Sequence, residues 1–70
     1  MKKQTQITFA AQLRGALEAR GWTAYRLGRE SGVSLPVISR YLAAKREPTL
    51  AIACRLADAL GVPVDDLRPR

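Results

Sequence analysis

The side chains able to do chemistry in this chain are cations that follow one sharp corner. Arg40, Lys45 and Arg46 come soon after Gly32-Val33-Ser34. The guanidinium of Arg40 carries a fork of donors that can grip O6 and N7 of a guanine together, and each cation that neutralises a phosphate adds about 0.9 to the log–log salt slope of binding to B-DNA. This is the chemistry of recognition and not of bond making. The chain has no histidine and a single cysteine, Cys54, so it can form neither an internal disulfide nor a zinc site of the usual Cys/His kind. No Gly-rich phosphate loop is present, and no Ser or Cys stands beside a base, so neither catalysis nor a cofactor is expected. The adjacent Asp65 and Asp66 would point about 100° apart on a helix, which suits neither a metal pair nor an acid–base pair.

The corner is what must position these cations. Gly32 lacks a Cβ and can take the left-handed conformation that ends one helix. Ser34 can cap the next through its hydroxyl, and Pro36 falls in the first turn, where a missing N–H is harmless. With Ile38 at zero on a helical wheel, Tyr41 and Leu42 lie within about 60° of it and form a buried stripe. Ser39, Ala43, Pro36 and Arg40 lie opposite, at roughly 100°, 140°, 160° and 200°, with Leu35 and Val37 on the borders. Such a face fits the major groove, where Leu35, Pro36 and Val37 would touch thymine methyls. The plainer reading is a helical hairpin with one solvated arginine, and a bare helix–glycine–helix does not decide between the two.

On the N-terminal side, Thr8 caps a helix in which Phe9, Leu13 and Leu17 recur beside Ala10 and Ala16, with Gly21 closing it. Trp22 is expected in the core against Leu17 and Leu27. Tyr25 lies on the less apolar side of the second helix, where its hydroxyl could donate to a phosphate or the ring could simply pack half-exposed. Thr49 caps a further helix whose face comprises Leu50, Ala53, Leu56, Ala57 and Leu60, with Gly61 at its end and Cys54 as a buried hydrophobe. Pro63 opens a last helical turn, in which Val62, Val64 and Leu67 close the core or meet a second copy.

These readings divide the chain into an N-terminal arm over 1–7, a domain over 8–67 and a basic tail over 68–70. Fraying is the default for the arm, and reaching around DNA is the alternative. The alternation from Gln6 to Phe9 also allows a short strand between protomers.

Seventy residues make one small domain, and at that size folding buries only about 60% of the unfolded surface. The net charge of +6 favours a polyanionic partner, nucleic acid or an acidic membrane. Basic residues scattered through helices with ordinary core stripes argue against a membrane anchor, and no apolar run reaches the roughly 18 residues of a spanning helix. The start, with Lys2 and Lys3, lacks the apolar region of a signal peptide, and a lone thiol suits a reducing cytoplasm.

Several spaced blocks carry a resemblance. They are Leu27-Gly28, Gly32-Val33-Ser34, Ile38 to Leu42, Lys45 to Leu50 and Ala59 to Val62. Over Leu13 to Leu67 the chain resembles the phage-repressor and Cro-type helix-turn-helix family. The resemblance implies an all-α, compact five-helix domain of the lambda-repressor kind, with its third helix in the major groove. Base-reading roles then fall on Leu35, Pro36, Val37, Ser39 and Arg40. Phosphate contacts fall on Thr23, Tyr25, Arg26, Ser34, Lys45 and Arg46. Three positions depart from the family pattern: Ala24 replaces a frequent Gln, Gly28 a usual Ala, and Ala44 a usual Gly that caps the third helix.

The function implied is a sequence-specific regulator of transcription, bacterial or phage-encoded and nucleoid-associated. It would be a repressor of phage or mobile-element type that occupies a double-stranded operator, as a homodimer at least on DNA. Three rivals are weighed beside it. An antitoxin or other accessory module would have a protein as its main partner. An RNA binder would need exposed aromatics, of which Tyr25 alone qualifies. An enzyme has the least support.

Overall fold

The structure, a computed structural model, describes residues 7–69; most of the arm, residues 1–6, and Arg70 of the tail lie outside the described residues. Four α-helices and one short 3-10 helix follow in order. They are α1 (Phe9–Arg20), α2 (Ala24–Ser31), α3 (Leu35–Leu42), α4 (Leu50–Leu60) and the 3-10 helix Val64–Leu67.

The starts of three helices follow from threonines. Thr8, Thr23 and Thr49 each hold an extended backbone and accept the N–H three residues on, at 3.1, 3.1 and 3.2 Å. Ser34 was expected to do the same for α3, but its side chain makes no cap bond. The cause is local: a capping hydroxyl accepts from the second or third helical N–H, and here the second residue is Pro36. The third, Val37, gives its N–H to the carbonyl of Ser34 itself at 3.1 Å. The hydroxyl of Ser31 serves the corner instead, accepting from the Val33 amide at 3.2 Å.

Helix ends are closed by backbone bonds reaching back five residues, from Trp22 to Leu17, Lys45 to Arg40 and Val62 to Ala57. Such a closure needs a left-handed residue just past the helix. Gly21 and Gly61 supply it without strain, but α3 relies on Ala44 at φ 59°, the one non-glycine residue with positive φ among those described.

The expected fifth α-helix is a 3-10 turn of four residues. Pro69 disfavours a helical conformation for the residue before it, and Arg68 is extended at φ −66°, ψ 144°, so the turn has no room to lengthen.

Leu13, Leu27, Ile38, Leu56 and Leu67 are fully buried and draw every element onto one core. Each contributes on the order of 1.5–3 kcal/mol. Phe9 meets Tyr41 edge-on, with ring centroids 5.9 Å apart, and joins α1 to α3. Four expectations are corrected. Leu50 is 73% exposed, because it stands in the first turn of α4, where no other element covers the apolar stripe. Cys54 and Trp22 are half-buried rather than enclosed. Phe9 is the first residue of α1, which removes the strand reading for its end of the alternation.

Gly28 sits where α2 crosses the corner. A Cβ there would stand 3.1 Å from the carbonyl oxygen of Val33 and 3.7 Å from Cδ1 of Ile38. The missing methyl therefore trades helix propensity, about 1 kcal/mol, for close approach.

Two stability changes are expected. Ala44→Gly removes the left-handed strain and should stabilise the fold by about 0.5–1 kcal/mol, seen as a rise of a few degrees in Tm; a lower Tm would refute the strained cap. Gly28→Val should cost about 1–3 kcal/mol in urea unfolding, since the obstructing atom is backbone in a short corner. A neutral result would show that the corner can yield.

Candidate nucleic-acid interface

The elbow of α2 and α3 turns one face of α3 outward. Ile38 and Tyr41 are buried, whereas Leu35, Pro36, Ser39 and Arg40 are exposed. Leu35, at 42% exposure, is a large apolar side chain left in solvent at the helix start. Val37 is different: it is half-buried and packs on the core, so only its edge is reachable. Of the base-reading residues expected from sequence, four thus share an open face and the fifth borders it.

Arg14 of α1 holds the far end of this helix, donating from Nη2 to the carbonyl oxygen of Leu42 at 2.8 Å. That bond satisfies one of the last carbonyls of α3 and sets a cation at its negative end. Sequence spacing alone gave no sign of it, because the partner is a backbone atom 28 residues on.

Lys45 is tied to the same end. Its amide donates to the carbonyl oxygen of Arg40 at 2.9 Å, so the backbone of this cation is fixed beside the helix that carries Arg40. Lys45 and Arg46 are exposed.

On α2, Thr23 uses its oxygen to accept the Arg26 amide and keeps its own O–H for a further acceptor. Tyr25 is 62% exposed. The Arg26 guanidinium lies over the Trp22 ring, 4.6 Å from its centroid, and its Nε stands 3.9 Å from Glu30. This cation, expected on a phosphate, is already engaged within the protein. The ion pair itself is weak, with both side chains about half exposed, and contributes well under about 1 kcal/mol.

Arg29, which the sequence reading passed over, lines one shallow hollow with Tyr25, Ser34 and Leu35. The missed signal was a spacing of four between Tyr25 and Arg29, on the stripe that also carries Gly28 and Gly32. Only Arg26–Glu30 and Arg68–Asp65 form ion pairs among the described residues, so Arg29, Arg40, Lys45 and Arg46 have no carboxylate within reach there. Also among the described residues, no cluster of His, Cys, Asp or Glu could hold a metal, and no helix is long and apolar enough to cross a membrane.

A helix-turn-helix family profile matches residues 13–67. No curated protein matches the chain significantly. Among solved structures, the chain is similar to the restriction-modification controller protein C.AhdI from Aeromonas hydrophila. The TM-score is 0.81 at 25% identity, over 84% of this chain and 89% of that one. An exposed third helix on a two-helix elbow, within a match that spans most of the sequence, places the chain in the phage-repressor and Cro-type helix-turn-helix family of DNA-binding transcriptional regulators.

Proposed function

We propose that the protein is a sequence-specific repressor that occupies a double-stranded operator and thereby blocks transcription. The observation that carries this reading is the open face of α3, with Leu35, Pro36, Ser39 and Arg40 exposed together and Lys45 fixed at its end. Arg40 grips a guanine edge through its fork, Leu35 and Pro36 meet thymine methyls, Ser39 donates to or accepts from either kind of base edge, and the border of Val37 adds apolar contact.

Phosphates are held by Lys45, Arg46, the hydroxyls of Thr23 and Tyr25, and Ser34, whose side chain is unused by its own helix. Arg26 is left out of that set, since Trp22 and Glu30 already occupy it. The unit on DNA is a homodimer, so half-sites lie about one helical turn apart, roughly 34 Å. Similarity to a restriction-modification controller supports a role in gene control.

One observation favours a second reading. Leu50, Phe9, Val64 and Leu67 line a groove that also carries Glu47, Asp65 and Arg68 and includes no residue of α3, which would suit an accessory module with a protein partner. Co-purification of a specific partner, with no selected DNA site, would put that reading first.

Selection from a random duplex library should return a palindrome; recovery of unrelated sequences would overturn specific operator binding. On the selected site, Arg40→Ala should cost about 1–3 kcal/mol and flatten preference at one base pair. Unchanged specificity would take Arg40 out of the reading role. Lys45→Ala should weaken all duplexes alike and lower the salt slope by about one. A slope equal to that of the parent would place this lysine off the backbone.

A further inference from the structure

The two arginines of α2 stand three residues apart and have different surroundings. Counting round the helix from Gly28, Gly32 lies at about 40°, Tyr25 at about 60° and Arg29 at about 100°, whereas Arg26 lies at about 160°. The first four form one stripe that continues directly onto the start of α3. Tyr25, Arg29, Ser34 and Leu35 wall a hollow of about 280 Å³ whose floor is Gly28, Gly32 and Val33.

Gly28 and Gly32 add no side chain to that hollow. The floor is thus bare backbone and a valine, flanked by a phenol, a hydroxyl and a guanidinium. A carbon-rich floor with a cationic wall matches deoxyribose beside phosphate.

We propose that Arg29, with the hollow it walls, is a second backbone-binding site for duplex DNA. Arg29 takes one phosphate, and the sugar beside it rests on the glycine floor between Tyr25 and Leu35. Three observations favour this occupant. The hollow shares Ser34 and Leu35 with the helix assigned to base reading. Arg29 has no carboxylate within ion-pair distance among the described residues. Arg26, equally close in sequence, is turned away onto Trp22 and Glu30.

The site rests on the DNA-binding reading above, and its test is built to separate the two. Affinity of the whole chain for the selected duplex and for a scrambled one is measured over a series of salt concentrations, for the parent and for Arg29→Ala, Arg29→Gln, Arg29→Lys and Arg26→Ala. Removal of the Arg29 charge should weaken both duplexes by the same factor and lower the salt slope by about 0.9, while Arg29→Lys restores most of the slope. Arg26→Ala should leave the slope at the parent value.

Arg29 also lies in the last turn of α2, where a cation suits the helix end. A role confined to that end would lower Tm in Arg29→Gln and leave the slope unchanged, which overturns the proposal. So would loss of repression in a reporter strain with unaltered DNA affinity, since the hollow would then belong to a protein partner. If Lys45→Ala lowers the slope and Arg29→Ala does not, the second site falls and the operator reading stands. A parent chain without salt-dependent binding to duplex removes both.

Discussion

The approach of α2 to the corner at Gly28 is the constraint on which the interface depends. An added Cβ would meet the Val33 carbonyl at 3.1 Å, and Cδ1 of the fully buried Ile38 lies just behind, at 3.7 Å. With nothing at Gly28 but hydrogen, the two helices close on each other while Gly32, at φ 77°, reverses the chain between them. That closure seats Ile38 in the core. Once Ile38 is seated, helical geometry alone sends Ser39 and Arg40 outward, because they lie about 100° and 200° away on the same helix.

An isolated helix of eight residues is not stable in water, so α3 owes its position to what holds it. Tyr41 is gripped by Phe9, the Leu42 carbonyl by Arg14, and the end by the bond from Lys45 to Arg40. These restraints come from α1 and from the following loop, and they use no side chain of the outer face. A helix held in this manner has little left to order on binding, which suits the guanidinium-fork recognition proposed for Arg40. The strain at Ala44 belongs to the same set: the backbone there adopts φ 59° because the closure that locates Lys45 requires it.

The sequence was informative wherever short-range chemistry decides the outcome. The Thr8 and Thr49 caps, the left-handed glycines and the inward side of Ile38 and Tyr41 depend on neighbours within one or two turns, and each was readable from spacing, whereas the Thr23 cap was not singled out and Leu42 is only half-buried. Failures came where two local preferences competed or where the partner was remote. Ser34 looked like a cap until Pro36 and the Val37 bond left its hydroxyl without a donor. The last helix shrank to a 3-10 turn under the restriction that Pro69 puts on Arg68. Leu50 fitted the periodicity of α4, but an apolar position in a first turn is buried only if another element covers it. The Arg14 bond to α3 spans 28 residues, and periodicity carries no signal of such a contact.

Charge type was a weaker guide than charge surroundings. Arg26 and Arg29 are identical side chains on exposed positions of one helix, and both contribute equally to the net charge of +6. A ring and a carboxylate stand beside Arg26: the ring holds the face of the guanidinium, and Glu30 competes with an external anion for its edge. A hollow floored by glycine stands beside Arg29, and no such contact has to be given up. Since the gain from one phosphate is itself of the order of a kcal/mol, even a modest competing contact counts against Arg26 relative to Arg29. On a small basic domain, long-range attraction gathers a polyanion without choosing its register, and under the proposed site these neighbour-by-neighbour differences would orient it.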